Sequence, residues 1–463
     1  MMNCLGNFYT PQLEVIHRGK VRDSVRIDDE TRMIVISDRI SSFDNVLNNF
    51  VPFKGAVLNG ITNFWFEKTR EIVANHFIKM VDPSISLVKE AEPIRVEMIV
   101  RGYLTGSMWR GYKNGKREFS GVKVGDGLQQ NGKFENPILT PTTKEDSDRE
   151  ISPADIVTEG WTTKEIYEKM TEISLQLFDY GSKFLAERGT ILVDTKYEFG
   201  LIDNEIILID EIHTPDSSRF WSAEDYAKNP LKVDSIDKEF VRQWLLENRE
   251  NNEFKSVLPI EIIEETSRRY LHIYKSITGN DLAVDKLENV NARVYRNLLN
   301  NDIIKDGYVV IIMGSPVDLE HCQKIRNVLG KYGIYTEMRV TSAHKNGERI
   351  PGIVEVYNNS IEPGAVIAVA GRSNGLGGAL AANLALPVFN CPPFKDKVDM
   401  MVNINSSLIM PSKTPAASVI DVSSAALCAL RSLNTPRLKE IFRNEIAEVK
   451  TGLIEADKEM KKL

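Results

Sequence analysis

The segment ILVDTKYEFGLIDNEIILIDEIHTPDSSRFW, residues 191–221, places more ionisable groups in a strand-like pattern than any other part of the chain. Asp194, Lys196 and Glu198 recur at every second position, so in a β-strand their side chains share one face. The segment continues into a polar loop, residues 213–219, which offers hydroxyl groups and an arginine to an anion. The pattern predicts a charged strand face followed by an anion-binding loop.

The turn after this strand decides how its charges are paired. Asp and Asn at positions 203–204 are typical of a hairpin turn, and the apolar strand that follows ends in two acidic residues. A two-residue loop sets Lys196 opposite Glu211, whereas a three-residue loop sets Glu198 opposite Asp210. If the pairing shifts by one residue, the side chains of the second strand move to the opposite face of the sheet. The local sequence leaves both registers open.

Two interpretations fit the charged face. Two carboxylates with a lysine between them suit Mg²⁺ held against nucleotide phosphates, because magnesium takes oxygen ligands and keeps water and phosphate in its shell. The same pattern is typical of a solvated strand whose charges form cross-strand ion pairs. The polar loop after the hairpin favours the first interpretation.

The composition restricts the classes of protein that fit. The chain has 463 residues, is 42 % hydrophobic and 27 % charged, and carries a net charge of −7, which is typical of a soluble protein and excludes a global basic field for nucleic acid. Its four cysteines form no paired motif, so neither a disulfide framework nor structural zinc is expected. No signal-like segment or apolar run of about 18 residues occurs. We expect a cytoplasmic protein without nucleic-acid or membrane partners.

Two further segments of the first half suit phosphate groups. Gly19 and Lys20 occupy a charged hairpin turn in which backbone and lysine approach a triphosphate, although the P-loop pattern is absent and an ordinary turn also fits. The pattern of residues 94–101 predicts a strand that ends at Arg101. A loop rich in Gly, Thr and Ser follows at residues 102–110. That loop predicts either a phosphate site at a helix start or simply a capped helix.

The second half alternates apolar strands with polar loops and helices. We predict strands at residues 308–313, 337–340, 365–370 and 386–391. This spacing predicts a parallel sheet in a three-layer α/β/α domain, with ligands at the carboxyl ends of the strands. His344 follows one such end beside Lys345, and the glycine-rich residues 371–377 follow another. His344 is a candidate general acid or base, with a structural role as the alternative.

Six motifs of the first half occur in a fixed order: GKVRD, SDRISSFD, RGYLTGSMWRGY, NPILTPTTKED, ILVDTKYEFG and IDEIHTPDSSRFW. They closely resemble the SAICAR synthetase family, whose members join aspartate to carboxyaminoimidazole ribotide (CAIR) using ATP. The resemblance covers about residues 8–280. It implies a two-part α+β domain with ATP and Mg²⁺ in a cleft between a smaller antiparallel sheet and a larger α+β part.

The resemblance also implies a role for each matching residue. Gly19, Lys20 and Arg22 would bind ATP, Glu198 and Asp210 would bind Mg²⁺, Arg101, Ser107 and Arg219 would bind the ribotide phosphate, and Asp194 and Lys196 would line the reaction centre. The implied metal pair favours the three-residue loop. Residues 146–150, DSDRE, replace a Gly-His-Asp sequence of many relatives, which weakens the prediction that this loop binds aspartate.

The motifs GSPVD, VTSAHK and AVAGRSNGLGGALAANLALPVFNCPP resemble the aminoimidazole ribotide (AIR) carboxylase family over about residues 308–435. SAHK and GRSNGLG match the branch that uses CO₂ directly, since the mutase branch has SAHR and GGAAHLPG. The resemblance implies that Ser315 and Asp318 bind the ribotide, that His344 moves the ring proton, and that Lys345, Ser373 and Gly375 hold CO₂. It implies no cofactor at this site.

Together the resemblances imply a bifunctional PAICS-type fusion. The predicted divisions are a ligase domain at residues 1–285, a linker at 286–307, a carboxylase domain at 308–435 and a helix at 436–463. The expected substrates are AIR, CO₂ or bicarbonate, CAIR, L-aspartate and ATP, and the carboxylase family implies a homo-octamer formed through the C-terminal domain. One alternative is a mutase that acts on the N-carboxylated ribotide. Another is an inactive nucleotide-binding scaffold.

Overall fold

The chain forms two units in the computed structural model, which describes residues 3–43, 45–145, 148–233, 238–250, 253–285 and 287–463. The first unit comprises Met1–Asn7 and Val15–Val290, and the second comprises Phe8–Glu14 and Asn291–Leu463. Asp146 and Ser147, which begin the predicted aspartate loop, lie outside the described residues. In the described ranges no helix has the length and apolar character needed to cross a membrane.

The first unit combines strands and helices throughout its length. Its strands are β1 (Val15–Arg18), β2 (Arg22–Arg26), β3 (Thr31–Ile36), β4 (Arg39–Ser42), β5 (Asn45–Phe50), β6 (Phe77–Asp82), β7 (Ile85–Lys89), β8 (Glu92–Pro93), β9 (Val96–Tyr103), β10 (Glu118–Phe119), β11 (Val122–Lys123), β12 (Lys133–Leu139), β13 (Thr142–Thr143), β14 (Thr190–Ile202), β15 (Glu205–Ile209) and β16 (Ser218–Ser222). Its helices are α1 (Lys54–Lys68), α2 (Gly106–Lys113), α3 (Pro153–Thr158), α4 (Lys164–Ala186), α5 (Ala223–Lys228), α6 (Glu239–Glu247) and α7 (Ile260–Thr278).

Two antiparallel sheets organise the first unit. The smaller has the strand order β1-β2-β3-β7-β6. The larger is built around β14, which is 13 residues long and pairs with β8, β9, β15 and β16. Helices α1, α4 and α7 bury apolar side chains such as Trp65, Leu177 and Ile273 in the core that covers this sheet. The predicted two-part α+β fold is confirmed.

The hairpin of β14 and β15 has a two-residue turn. Glu198 lies opposite Ile209 in the ladder, and Asp203 and Asn204 both have positive φ angles, 51° and 65°. Two-residue hairpin turns with positive φ at both positions match the twist of the flanking strands, and they therefore fix the register of the strand pairing. Asp210 follows the last paired residue, also at positive φ, and leaves the ladder. The three-residue turn that the family resemblance favoured is wrong.

A buried ion cluster fixes the loop between β15 and β16. Lys54 of α1 is fully buried and donates to Asp216 at 2.8 Å, and the Lys238 ammonium lies 3.6 Å from the same carboxylate. Tyr270 of α7 also donates to Asp216. Burial opposes ionisation of Asp216, but the two lysines and the hydrogen bonds more than reverse it and hold its pKa well below its ordinary value. The cluster ties two helices to the loop.

The second unit consists of parallel strands connected by helices. The strands are β17 (Tyr308–Met313), β18 (Tyr335–Val340), β19 (Gly364–Val369), β20 (Val388–Asn390) and β21 (Ala417–Ser418). The helices are α8 (Val290–Asn300), α9 (Leu319–Gly330), α10 (Ile350–Asn359), α11 (Gly375–Asn383), α12 (Lys397–Leu408), α13 (Val422–Leu433) and α14 (Pro436–Met460).

All neighbouring strands of this sheet are parallel, in the order β18-β17-β19-β20-β21. Val309 and Ile311 of β17 join a core with α9, α13 and α14, whereas Val310 and Ile312 join another core with α10 and α11. Alternate residues of one strand therefore face opposite helical layers. The predicted three-layer α/β/α domain is confirmed.

The second unit includes two segments that the sequence prediction assigned elsewhere. The predicted linker at 286–307 contains α8, in which Val294 and Leu298 are fully buried. Residues Phe8–Glu14, predicted as part of the ligase domain, also belong to this unit. Thr10 and Gln12 of that segment donate to Glu362, a buried carboxyl group whose pKa burial raises to about 7. These contacts link residues far apart in sequence, so local patterns do not predict them.

The turn at Asp203-Asn204 gives a stability prediction. We expect Asn204→Val to destabilise the first unit by about 1–2 kcal/mol, because a β-branched residue is strained at positive φ. Asn204→Gly is the matched control and should be neutral or slightly stabilising. Urea unfolding followed by tryptophan fluorescence measures the effect, since all five tryptophans lie before residue 290. Equal stability of the valine and glycine variants would contradict the observed turn.

The Asp216 cluster gives a pH prediction. A carboxyl group whose folded pKa lies below its unfolded value stabilises the fold above the unfolded pKa, and this contribution is lost as pH falls through the folded pKa. Asp216→Asn should therefore lower the melting temperature most near pH 7, and the difference from the wild type should narrow below about pH 4. Asp179→Asn, in an exposed pair with Lys183, is the control and should have little effect. If the difference in melting temperature between the wild type and Asp216→Asn does not change with pH, Asp216 is not ionised in the folded protein.

Candidate functional site

A cavity of about 500 Å³ in the first unit collects most of the predicted ligase residues. It is lined by Gly19, Lys20, Arg22, Lys196, Glu198 and Asp210. Gly19 and Lys20 come from the turn between β1 and β2, whereas the other groups come from β14, the start of β2 and the end of β15. Three separate segments thus bring cations and carboxylates to one concave surface, which is the arrangement expected of a site for a polyanion.

Lys196 lies between two buried glutamates in this cavity. Its ammonium donates to Glu97 of β9 at 2.7 Å and to Glu198 of its own strand. Lys144 donates to the other oxygen of Glu198, and Thr142 donates to Glu97 at 3.2 Å. Pairing of β9 with β14 sets Lys196 opposite Ile99, which places Glu97 on the same side of the sheet two residues away. The strands therefore pre-arrange a chain of alternating charge.

Burial and pairing act against each other on these groups. Burial raises the pKa of Glu97, with further help from neighbouring Glu198 and opposition from Lys196. For Glu198, burial also favours the neutral acid, but the charges of Lys196 and Lys144 hold its pKa far below the ordinary value. Burial opposes the charge of Lys196 as well, yet the two glutamates raise its pKa. We infer that the Lys196–Glu198 pair is ionised at neutral pH.

Arg22 engages the two acidic residues at the end of β15. Its guanidinium forms ion pairs with both Asp210 and Glu211. Because Arg22 begins β2 and the carboxylates follow β15, the contact closes the cavity between the two sheets of the first unit. Arg22 was predicted to bind ATP. In this structure its guanidinium donors bind the carboxylates of Asp210 and Glu211.

Part of the remaining cavity wall is apolar. Ile34, Val88 and Ile209 line it together with His76. His76 is buried against Phe66, with ring centroids 5.5 Å apart. Burial, with smaller contributions from Arg22 and Arg32, lowers the pKa of His76 to about 3. His76 is therefore a neutral imidazole at neutral pH, in a wall that suits the face of an aromatic base.

Asp194 holds the two arginines that were predicted to bind the ribotide phosphate. Arg101 donates to Asp194 at 3.3 Å and to Thr140 at 2.9 Å, while Arg219 donates to the same oxygen of Asp194. A Cβ atom at Gly106 would stand 2.5 Å from the Arg219 guanidinium and would displace it, and the φ angle of +59° favours glycine at this position. Ser107 follows at the start of α2 and shares a small cavity with Arg101.

The two predicted magnesium ligands fit a site that is completed by substrate. Glu198 and Asp210 line the same cavity and offer carboxylate oxygens, the ligands that magnesium prefers. In the described part of the chain no cluster of three or more His, Cys, Asp or Glu residues has metal-binding geometry. Two carboxylates suffice for a magnesium ion that keeps waters and phosphate oxygens in its shell.

Two functional candidates of this cavity were missed from the sequence, namely Glu97 and Lys144. Glu97 sits in the charge-alternating strand before Arg101, and Lys144 lies in the NPILTPTTKED motif. Each had a local signal in the residues, but their partners on β14 lie far along the chain: Glu198 is 54 positions after Lys144, and Lys196 is 99 positions after Glu97. Only strand pairing shows that the charges meet.

In the second unit, the predicted ribotide residues follow the end of β17. Ser315 accepts a hydrogen bond from the Val317 N–H and so caps a short 3-10 turn at Pro316–Asp318. Asp318 precedes α9, and burial raises the pKa of its carboxyl group. Gly314 donates to Val369 at 2.9 Å, which ties the end of β17 to β19. The loops after these neighbouring strands lie at the position where parallel α/β sheets bind ligands.

His344 lies against the glycine-rich loop that follows β19. A Cβ atom at Gly375 would stand 2.7 Å from the imidazole of His344, so glycine is needed for this approach. His344, Lys345 and Ser373 are exposed, and the backbone of Lys345 donates to Ser342 within a turn. The structure thus brings together His344 and Gly375, both predicted from the sequence.

Helix α12 fixes the shape of the glycine-rich loop. Asn403 of α12 accepts from the Arg372 N–H at 2.7 Å, and Asn374 donates to Ser407 at 2.8 Å. The side chain of Asn374 also accepts from Gly377 and caps α11. The loop is therefore held by two side chains of α12 and by its own Asn374, and none of these three contacts was predicted from the sequence.

Comparison with protein families divides the chain at the same place as the fold. The SAICAR synthetase family model matches residues 15–258, and the AIR carboxylase model matches residues 308–452. The first match covers the unit with the charged cavity, and the second covers the parallel sheet with its strand-end loops. The two matches do not overlap.

Individual relatives agree with the first match. A phosphoribosylaminoimidazole-succinocarboxamide synthase of Bacteroides fragilis is 42 % identical over 303 residues, which cover 63 % of this chain and 96 % of the relative. A synthase of the same name from Legionella pneumophila is 41 % identical over 294 residues, covering 61 % and 94 %. The solved SAICAR synthase from Saccharomyces cerevisiae in complex with SAICAR is 33 % identical, with a TM-score of 0.55 over 60 % of this chain and 100 % of that chain. The chain therefore belongs to the SAICAR synthetase family, a family of ligases of purine biosynthesis, and it joins that region to an AIR carboxylase region as a fused, PAICS-type protein.

Proposed function

We propose that the protein carries out two consecutive steps of purine biosynthesis, carboxylating AIR with CO₂ to CAIR and then joining L-aspartate to CAIR with ATP. The observation that carries the proposal is the presence, in one chain, of a cavity lined by Lys20, Lys196 and Glu198 and of a parallel sheet that brings His344 against Gly375. The first arrangement suits phosphoryl transfer, and the second suits proton transfer beside a glycine loop.

In the ligase step, a carboxylate oxygen of CAIR forms a bond to the γ-phosphorus of ATP while the bond to ADP breaks. The amine of aspartate then attacks the acyl phosphate carbon, phosphate leaves, and the amine loses a proton. Phosphoryl transfer needs mainly positioning and cations. Lys20, Lys144 and Lys196 provide positive charge on the cavity wall, while the neighbouring carboxylates hold two of these lysines in place.

Glu198 and Asp210 are the proposed ligands of Mg²⁺. When bound with ATP, the ion would neutralise developing phosphate charge at the cavity. The chain's own contribution is to keep Glu198 ionised through Lys196 and Lys144, and to place Asp210 outside the β-ladder at a positive φ angle. Both carboxylates line the cavity, where Glu198 is paired with Lys196 and Lys144 and Asp210 with Arg22, so metal binding would require these cations to shift toward the phosphates.

Arg101, Ser107 and Arg219 are the proposed ribotide phosphate residues. The geometry supports this proposal, because Asp194 forms ion pairs with both Arg101 and Arg219. Gly106 leaves space for the Arg219 guanidinium at the start of α2. Arginine forks suit the planar recognition of phosphate, and a helix start adds N–H groups. Asp194 lies two residues from Lys196 on β14, which connects this subsite to the proposed reaction centre.

In the carboxylase step, the nucleophilic ring carbon of AIR attacks the carbon of CO₂, a carbon–carbon bond forms, and the ring carbon then loses its proton. His344 is the proposed acceptor of that proton. Lys345, Ser373 and Gly375 are proposed to hold CO₂ and the new carboxylate, while Ser315 and Asp318 bind the ribotide. The step requires positioning and exclusion of water and needs no cofactor.

The sequence of the strand-end loops supports direct use of CO₂ over the mutase alternative, because Lys345 and the GRSNGLG loop differ from the mutase patterns. We also propose that the second unit assembles as a homo-octamer and that the protein acts in the cytoplasm. We propose that the ligase function lies in residues 1–285 and the carboxylase function in residues 308–435, although residues 8–14, most of α8 and α14 belong to the second structural unit.

The ligase assignment predicts the effect of Glu198→Gln. With CAIR, ATP, Mg²⁺ and aspartate, we expect SAICAR formation to fall by about 10²–10³-fold, because the uncharged amide neither binds the metal nor balances Lys196. Coupled measurement of ADP release and SAICAR absorbance tests this. Glu205→Gln is the matched control, since Glu205 is exposed on the same hairpin. ATP binding without turnover by the wild-type protein would instead support the scaffold alternative.

The carboxylase assignment predicts CAIR formation from AIR and bicarbonate alone, without ATP or aspartate. His344→Asn should reduce this rate by about 10²–10⁴-fold, as expected for loss of a proton-transfer group, whereas His272→Asn, at an exposed histidine of the first unit, should not. Ultraviolet absorbance follows the product. Conversion of the N-carboxylated ribotide, with no product from AIR and bicarbonate, would assign the second unit to the mutase class.

A further inference from the structure

The turn between β1 and β2 has its carbonyl groups bound from one side. Arg39 donates to the carbonyl oxygens of Gly19 and Lys20 at 3.1 and 3.2 Å. The next carbonyl, that of Val21, accepts from the Ser37 hydroxyl at 2.7 Å and from the Ser37 N–H at 3.0 Å. Three consecutive carbonyls are thus held by Ser37, which follows β3, and by Arg39, the first residue of β4. The same turn supplies Gly19, Lys20 and Val21 to the lining of the 500 Å³ cavity.

Arg39 uses its remaining donors inside the protein. Its terminal nitrogens also donate to Asp23 at 2.7 Å, to Asn7 at 2.8 Å and to the Gly6 carbonyl at 3.3 Å. Together with the two turn carbonyls, these contacts account for all five N–H groups of a guanidinium. The side chain is only 7 % exposed. Arg39 is therefore a fixed internal element, unlike a residue whose donors are available to grip a substrate.

The direction of these carbonyls matters for an anionic ligand. A carbonyl oxygen carries partial negative charge and repels a phosphate group, whereas lysine, arginine and backbone N–H groups attract it. Binding all three oxygens on the Arg39 side orients the turn so that its other side, with Lys20 and Arg22, faces the cavity. The guanidinium fork is suited to this task because its planar donors hold two neighbouring acceptors at once.

We propose that Arg39 is a positioning residue for nucleoside triphosphate binding, acting through the carbonyl groups of Gly19 and Lys20. This inference rests on the proposed ligase function, in which the turn contacts ATP phosphates. Arg39 belongs to the SDRISSFD motif, to which the sequence analysis assigned no role. The structure gives that motif a function: it shapes the phosphate turn from outside the substrate site.

Arg39→Lys in the full-length protein tests the proposal. Lysine keeps the positive charge near Asp23 but cannot hold two carbonyls with fixed geometry. We expect the KM for ATP, and the dissociation constant of ADP measured by calorimetry, to rise about tenfold, since the loss of two such hydrogen bonds is worth about 1.4 kcal/mol. The KM values for CAIR and aspartate and the value of kcat should change less than about threefold. Mere loss of folded protein would lower the apparent kcat and leave the KM for ATP unchanged.

Two variants keep the test decisive. Ser37→Ala removes the hydroxyl bond to the Val21 carbonyl and the bond that this hydroxyl accepts from the Arg39 N–H at 3.3 Å, but it keeps the arginine side chain. It should raise the KM for ATP by about threefold, and it replaces Arg39→Lys as the test if that variant does not fold. Arg18→Lys is the matched control, because Arg18 pairs with the other oxygen of Asp23, and it should leave the KM for ATP unchanged. An unchanged KM for ATP in folded Arg39→Lys and Ser37→Ala proteins would overturn the proposal. Absence of SAICAR formation by the wild-type protein would instead refute the ligase assignment.

Discussion

The ion pairs of Lys196 on β14 are the interaction on which the candidate ligase site depends. A lysine removed from water is costly unless its charge is balanced, and here Glu97 and Glu198 balance it from two sides. Glu198 in turn is held by Lys144. Because these side chains hold one another through ion pairs, the cavity has a defined pattern of carboxylates and cations before any substrate binds. Such preorganisation is what a reaction controlled by electrostatics requires.

Strand geometry makes this network possible. Period-two alternation on β14 presents Asp194, Lys196 and Glu198 on one face, and the paired strand β9 adds Arg101 and Glu97 beside them. The face therefore has two charged zones: Asp194 gathers the arginines, and Lys196 gathers the glutamates. The tight turn at the end of β14 then brings Asp210 and Glu211 back to Arg22. One long strand thus joins the proposed ribotide, reaction and metal regions.

The second unit positions its candidate residues by a different principle. All its strands are parallel, so their carboxyl ends meet at one edge, and each loop that leaves this edge contributes to a common region. Close backbone approach is a feature of this region, since the absence of a Cβ atom at Gly375 leaves room for the His344 imidazole. Helix α12 then fixes the loop through Asn403 and Ser407. In contrast to the first unit, few buried charges are needed to define this region.

The sequence by itself determined the three-layer class of the second unit and the charged strand at residues 194–198, because repeated apolar strands and period-two charges are local patterns that report directly on strand geometry. The two-part α+β class of the first unit followed from the resemblance of its six ordered motifs to a known family. The sequence also identified motifs whose residues line the cavity or meet at the strand ends. Only the tertiary structure decided the two-residue turn at Asp203-Asn204, the placement of residues 8–14 in the second unit, and the partners Glu97, Lys144 and Arg39. The physical reason is that positive backbone angles and long-range ion pairs are selected by the packed surroundings, whose energies a local stretch of residues does not contain.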